Sequence, residues 1–332
     1  MKNRQWLLAR RPNGAIQDSD FNFAETDAPT PGEGEVLVRN LMLSCDPTQR
    51  GWIAFDTYLP AVKIGEVVRS IGAGRIVASN NPDFAVGDIV SGLVGWQDYV
   101  AMNPKGQLNK LPPGAPLELA MSALGVTGIT AYFGLLEVGR PVAGETVVVS
   151  GAAGATGSVV GQIAKIKDCR AIGIAGGAEK CRWLTAEAGF DAAIDYKSED
   201  VQARLRQLCP KGIDIFFDNV GGDVLDAALA RLAMRGRVVL CGGIANYNAT
   251  EPPPGPKNYL NLVVQRGRME GFLVLDYMSR AGEAIAALAG WLQAGKLKNK
   301  VDVQLGLENA PATLRRLFEG KNAGKQLLRV AE

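Results

Sequence analysis

The 332-residue chain contains no histidine. That absence excludes Ser-His-Asp and Cys-His catalysis, whose general base is an imidazole. It also removes the usual ligand of a catalytic zinc, so no metal is expected and proton transfer falls to Tyr, Lys, Asp, Glu, Cys or water. Cysteine is sparse: Cys45, Cys169, Cys181, Cys209 and Cys241 are odd in number, widely spread and free of any Cys-x-x-Cys pair. They are expected to be reduced thiols of a cytoplasmic protein. Neither sign of charge is in excess, the formal net charge being +2, so the basic field that nucleic acid or anionic lipid requires is missing. Two uncharged runs, 119–136 and 146–164, have spanning length but are diluted by Gly, Ser and Thr, and no membrane association is expected. Near the start, Lys2, Arg4, Arg10 and Arg11 flank an apolar stretch of only four residues, too short for the core of an export signal.

What remains is the composition of a folded enzyme-sized chain, 47% apolar and 21% charged, long enough for two domains. The first third reads as β structure: 35–43 is strand-like, 64–79 is a Val/Ile-rich pair broken by Gly72 and Gly74, and 88–102 follows a Gly87-Asp88 turn. Short strands punctuated by Gly and Pro predict a small barrel. From Thr146 the texture changes to strand 146–150, helix 155–167, strand 170–175, helix 179–188, strand 192–196, helix 199–208, strand 213–220, helix 224–232 and strand 237–242. Repeated strand–helix alternation predicts a doubly wound α/β parallel sheet with helices on both faces. A Pro-rich loop at 246–256, a strand at 269–275 and a helix at 280–293 follow, and 301–330 returns to strand, helix, strand. The expected domains are 1–124 with 298–332, and an inserted 125–297.

The most informative motif joins strand 146–150 to a helix through a turn bearing Gly151, Gly154, Gly157 and Gly161. Small residues there let the backbone approach a pyrophosphate, and the helix start supplies N–H groups and a positive dipole end. The bland alternative is a tight turn packing helix on strand, but the βα units on either side favour dinucleotide binding. NAD-preferring domains end the second strand with a carboxylate; here Gly176-Gly177-Ala178-Glu179-Lys180 stands in its place. Lys180, with Tyr196, is positioned to meet a 2′-phosphate, whereas its plain reading is a surface helix residue; Glu179 is expected to face solvent.

Over essentially its whole length the chain resembles the zinc-free medium-chain dehydrogenase/reductases of the leukotriene B4 dehydrogenase, prostaglandin reductase and 2-alkenal or curcumin reductase group. The matching segments are Asp46-Pro47-x-x-Arg50-Gly51, Ile64-Gly65-Glu66-Val67, Gly128-x-Thr130-Ala131-Tyr132-Phe133-Gly134, the glycine turn, Asp218-Asn219-Val220-Gly221-Gly222, Arg268-Met269-Glu270-Gly271-Phe272 and Gly320-x-Asn322-x-Gly324-Lys325. The resemblance implies a Rossmann domain inserted into a GroES-like β-barrel domain, NADPH as cofactor, a small unsaturated carbonyl substrate and a homodimer. By the same motifs, Gly154, Ala155, Thr156 and Gly157 would hold the pyrophosphate, and Lys180 with Tyr196 would select NADPH. Asn219, Cys241, Gly242, Gly243, Ile244, Ala245, Asn246, Tyr247, the backbone of Phe272, Leu273 and Val274, and Asn322 would line the remaining cofactor. Tyr259 falls where the family places a tyrosine near the nicotinamide ribose; its plain reading is an ordinary loop or helix-start aromatic. The implied reaction is NADPH-dependent reduction of the C=C bond of α,β-unsaturated aldehydes or ketones. The alternatives are a quinone reductase and, in another class, an NADPH-binding sensor or structural protein without turnover. Thr48-Gln49 replaces the family's common Tyr-Met after Asp-Pro, which predicts a wider, more polar pocket. Cys45 lies near a ligand position of zinc-dependent relatives but is expected to be a buried core thiol.

Overall fold

The computed structural model describes residues 1–331, which divide into two compact units. Unit 1 comprises Met1–Met121, Tyr247–Thr250 and the chain from Val301 onward; unit 2 comprises Ser122–Asn246 and Glu251–Lys300.

Unit 1 is built on a seven-stranded sheet running Val301–Leu305, Lys325–Arg329, Val36–Ser44, Ile71–Ser79, Ile89–Leu93 and Leu108–Lys110, with Tyr99–Met102 also paired to Val36–Ser44. All its pairings are antiparallel except that of Val301–Leu305 with Lys325–Arg329. A separate hairpin joins Lys2–Leu8 to Phe21–Asp27. Eight of the nine residues of Val36–Ser44 are buried, as its apolar run and three strand partners require.

One expectation fails here: Gly72 and Gly74 do not break the chain but lie inside the single strand Ile71–Ser79. They are glycine because neighbouring strands come too close for a side chain. A methyl group on Gly72 would lie 2.6 Å from Val94 and 2.8 Å from Leu43; one on Gly74 would lie 2.5 Å from a Val38 methyl.

Unit 2 is a six-stranded, all-parallel sheet in the order Ala192–Asp195, Arg170–Ala175, Thr146–Ser150, Ile213–Asp218, Leu232–Leu240, Arg268–Gly271. The first of these strands in the chain lies third in the sheet, which places the reversal of strand order at Thr146–Ser150. Alternate side chains feed opposite faces, as a pleated strand requires. Val147, Val149, Ile215 and Phe217 pack with the helices Ala155–Ile166 and Ala281–Gln293, while Val148 and Phe216 pack with Val201–Leu208 and Gly222–Leu229. Both faces are therefore covered, which is why the strands read as continuous apolar runs. Several boundaries move, two of them by more than a residue or two: Leu232, expected to end a helix, begins a strand, and the strand expected to reach Leu275 stops at Gly271. Both 18-residue-scale apolar runs are interrupted, and among the described residues no helix is long and apolar enough to cross a membrane.

Candidate active site

At the carboxyl ends of the unit 2 strands, six loops leave the sheet side by side, and most of the candidate residues lie on them. The first runs from Ser150 through Gly151, whose φ of +58° favours glycine, to Gly154, the extended N-cap of helix Ala155–Ile166. No side chain caps this helix, so the N–H groups of Ala155, Thr156 and Gly157 lack intrahelical acceptors. Gly157 is buried against the turn itself; a methyl group there would lie 2.9 Å from the Ala152 Cα. The result is a row of backbone donors that no side chain caps, which is the arrangement an oxyanion needs.

The second and third loops are tied together by a carboxylate. Asp195 accepts from Gly177 N–H at 2.7 Å and Lys197 N–H at 3.0 Å. The Gly177 hydrogen bond in particular holds this carboxyl below its ordinary range. Asp195 thus serves the loop backbone. Glu179 is exposed on the first turn of helix Ala178–Ala186, beside the partly buried Lys180. The Tyr196 ring lies against Gly176, where a methyl group would come within 2.8 Å of its hydroxyl, and the side chain is 48% exposed.

The fourth and fifth loops are pinned by Asp218, which is fully buried at the end of its strand. It accepts from Ser150 Oγ at 2.7 Å, Val220 N–H at 3.0 Å and Gly221 N–H at 3.0 Å. Burial raises its carboxyl above the usual range against the pull of these donors. Asn219 is fixed in turn, donating its amide to Ser150 O at 2.7 Å and its backbone N–H to Ser150 Oγ. Cys241 and Gly242 donate to Asp218 O, Ile244 to Asn219 O and Ala245 to Val220 O, while Asn246 N–H returns to Gly243 O. Cys241 carries a thiol pushed up to about 12 by burial and then by Asp218. On the sixth loop Phe272 packs edge-on to Phe217, with ring centroids 6.3 Å apart, and Leu273 and Val274 are half-buried. Gly134 lies where a methyl group would strike both rings. Tyr259 sits in the turn before the short helix Asn261–Val264 and is 54% exposed.

Not every candidate lies in unit 2. Tyr247 and Asn322 belong to unit 1, where the Asn322 amide donates to Gly324 O at 2.9 Å.

Two family models match the chain, "N-terminal domain of oxidoreductase" over residues 4–111 and "Zinc-binding dehydrogenase" over residues 155–290. The chain is 44% identical to the NADPH-dependent curcumin reductase of Escherichia coli, covering 99% of this chain and 97% of that one. It is 39% identical to the NADP-dependent 2-alkenal reductase of Nicotiana tabacum, covering 100% and 98%. The chain belongs to the zinc-free medium-chain dehydrogenase/reductases. A crystal structure of CurA from Vibrio vulnificus in complex with NADPH superposes with a TM-score of 0.94 at 42% identity, covering 99% of each chain. The α/β fold of this medium-chain dehydrogenase/reductase is accordingly a Rossmann domain with a separate GroES-like β domain, and its cofactor is NADPH. Although one matching model is described as zinc-binding, the chain has no histidine. Among the described residues no three Cys, Asp or Glu side chains group as metal ligands. The uncapped helix start after Gly154 suits a pyrophosphate, and the second strand runs into Gly176-Gly177 rather than ending in a carboxylate, which suits NADPH.

In unit 1 the segment Asp46–Gly51 of this family member is held by buried polar contacts. Lys325, 2% exposed, donates to Asp46 Oδ1 at 2.7 Å and Cys45 O at 2.9 Å, and Ser44 Oγ donates to Asp46 as well. Arg50 donates to Gly14 O at 3.0 Å and Asn248 Oδ1 at 3.2 Å. Gln49 does not make a pocket more polar, because it is buried. Its amide oxygen accepts from Asp46 N–H at 2.8 Å and its amide nitrogen donates to Arg69 O at 3.0 Å. Thr48 pairs with the Tyr58 hydroxyl at 2.8 Å. Sequence reasoning quoted Asp46, Asp218 and Lys325 within motifs but gave them no task. The available signal for Asp218 was a carboxylate closing the strand Ile213–Asp218 directly before Asn-Val-Gly-Gly.

Proposed function

We propose that this protein uses NADPH to reduce the carbon–carbon double bond of α,β-unsaturated aldehydes and ketones. The observation that carries this reading is end-to-end similarity to the curcumin and 2-alkenal reductases in a chain whose phosphate-binding turn is intact. The bound nicotinamide supplies a hydride to the substrate β-carbon, and a proton from water or a protein hydroxyl completes the reduction at the α-carbon. Helix-start N–H groups at Ala155–Gly157 hold the pyrophosphate, Lys180 and Tyr196 take the 2′-phosphate, and Asn219, the 241–247 segment, the 272–274 backbone and Asn322 fix the remaining cofactor. The Tyr259 hydroxyl is assigned to the oxygen on which negative charge develops, acting through the ribose hydroxyl.

Steady NADPH oxidation by a panel of enals and enones, with quinones slower, is the expected result. Tight NADPH binding with no turnover on any of them would sink the reading in favour of a sensor. Tyr259→Phe should lower single-turnover hydride transfer about tenfold, less than the loss of a direct oxyanion donor, while NADPH affinity holds. A hydride-transfer rate equal to wild type would make Tyr259 a packing residue.

The same reading includes a homodimer in the cytoplasm, the compartment that suits five unpaired cysteines. Strand Arg268–Gly271 is exposed along its whole length at the edge of the sheet, with Val263 and Val264 exposed nearby in sequence. An edge of this kind is covered in native assemblies. Two-fold pairing centred on Met269 sets Arg268 against Glu270 of the partner subunit, a self-complementary register. A monomer in sedimentation velocity at micromolar concentration would overturn it.

A further inference from the structure

At the opposite, amino-terminal end of the unit 2 sheet lies a feature that dinucleotide binding does not use. The chain contains two Arg-Gly-Arg triplets, Arg235-Gly236-Arg237 and Arg266-Gly267-Arg268, and the fold sets them face to face. Arg237 and Arg268 are register partners in adjacent parallel strands. The residues just before them also meet: Arg235, inside strand Leu232–Leu240, donates its N–H to Gln265 O at 2.7 Å. The central glycines permit the approach: a methyl group on Gly267 would lie 2.9 Å from Gly236 O and 2.6 Å from Leu232. All four arginines line one pocket of about 320 Å³, and among the described residues no other lines it.

Charge around the pocket is only half balanced. Arg237 is engaged by both terminal nitrogens with Glu145, at 2.6 and 2.7 Å, and by its Nε with Gly139 O at 2.9 Å; Arg268 lies 3.6 Å from Glu270 of its own chain and, in the dimer proposed above, faces Glu270 of the partner subunit. Arg266 donates to Val264 O at 2.9 Å, and neither it nor Arg235 has a carboxylate partner among the described residues. Both of these unpaired arginines are in the left-handed region, at φ +61° and +50°. That conformation is unfavourable for a residue with a β-carbon and recurs where a local arrangement serves a ligand. Crowding like charges on strained backbone, with two positive charges left over, is unfavourable in the empty protein and becomes favourable when a compact dianion enters.

We propose that the two juxtaposed Arg-Gly-Arg triplets form an oxyanion site for a phosphoryl group, distinct from the dinucleotide cradle at the other end of the strands. Planar guanidinium forks match the paired oxygens of phosphate, so those of Arg235 and Arg266, which have no carboxylate partner among the described residues, would distinguish it from chloride by geometry as well as by charge. The inference stands independently of the reaction assigned above.

The test uses the protein saturated with NADP, so that the phosphate-binding turn proposed above is filled, and titrates inorganic phosphate against chloride at matched ionic strength by calorimetry. Wild type is expected to bind one phosphate per chain saturably and chloride not at all. The double variant Arg235→Gly/Arg266→Gly suits the left-handed backbone, so its fold is retained. It should bind phosphate at least about tenfold more weakly, the consequence of lost charge-assisted hydrogen bonds, with NADPH oxidation unchanged. Arg235→Gln/Arg266→Gln should reproduce the loss. A phosphate monoester that binds more tightly than inorganic phosphate assigns the pocket to a phosphorylated metabolite, and the reverse order assigns it to the free anion. Phosphate heats that match chloride, or variants that titrate like wild type, would overturn the site.

Discussion

Lys325 in unit 1 and Lys180 in unit 2 are the same residue type under opposite constraints. Lys325 is 2% exposed and its ammonium ends on Asp46 and Cys45 O. Lys180 stays partly exposed on the first turn of a helix, beside a glycine loop. The contrast extends to the rest of each unit. In unit 1, Arg50, Gln49, Asp46 and Lys325 direct their polar atoms into the protein and shape one segment. In unit 2 the buried carboxylate of Asp218 and the half-buried one of Asp195 hold loop backbones, while an uncapped helix start keeps its donors directed outward. A polar group can therefore serve the fold or a ligand, and burial with a fixed partner separates the two cases more reliably than residue type.

The largest expected effect tests the first half of that contrast. Lys325→Met leaves Asp46 without its ammonium partner, and removing one member of a buried pair costs about 3–5 kcal/mol. Urea unfolding should record that loss, while the ratio of NADPH to NADH affinity, measured on the folded fraction, stays at the wild-type value. A shifted ratio would break the comparison.

Gly157→Ala should act on both sides of it. The added methyl group meets the Ala152 backbone at 2.9 Å, an overpacking cost of about 1–3 kcal/mol. The turn must move to relieve it, so calorimetry should show NADPH affinity falling more steeply than stability. Equal affinities in mutant and wild type would mean that the turn is not the pyrophosphate cradle.

Lys180→Ala should be the mirror of Lys325→Met. Loss of one charge-assisted contact to a 2′-phosphate is worth roughly 1.5–3 kcal/mol, or about tenfold to a hundredfold in NADPH affinity. NADH affinity and the urea midpoint should scarcely change. A mutant that keeps the wild-type NADPH preference would return Lys180 to the surface.

The smallest effect sharpens the comparison through pH. Asp302 in unit 1 is disfavoured as an anion by its burial, but Arg316 at 2.8 Å outweighs that and, with Gln304 and Ala323 N–H, holds its carboxyl below the ordinary range. A depressed carboxyl contributes stability above the unfolded value of about 4 and loses it as pH falls through the lower folded value. Asp302→Asn should therefore cost about 1 kcal/mol at pH 7. Its stability should also fall less than that of wild type on acidification from pH 5 to pH 3. Parallel acid curves for the two proteins would remove Asp302 from the account.

How much of this was legible in the sequence follows from how local each signal is. The βα run of unit 2 was readable because strands buried on both faces and helices with one apolar face write their periods into adjacent residues. Strand Arg170–Ala175 was placed to the residue. Gly72 and Gly74 misled, since their reason lies in Leu43, Val94 and Val38, which only the folded sheet brings near. Leu232 misled because helix Gly222–Leu229 and the following strand share an apolar sequence with no breaker between them. Among the site residues, the glycine turn carries its own signal. The buried partnerships of Asp218 with Ser150 and of Lys325 with Asp46 span 68 and 279 residues, and no local pattern records such pairs.

The scattered cysteines also provide a way to observe each unit separately. Cys45 in unit 1 and Cys169 and Cys209 in unit 2 are each 1% exposed, and burial pushes their thiols up to about 12, 11 and 11. Thiolate is the form that alkylating reagents capture, so these three sites stay silent until the surrounding structure opens. Mass-resolved alkylation at increasing urea would then act as two independent clocks within one chain, Cys45 timing the opening of unit 1 and Cys169 with Cys209 that of unit 2. Clocks that run together would show one cooperative transition; clocks that separate would show which unit opens first.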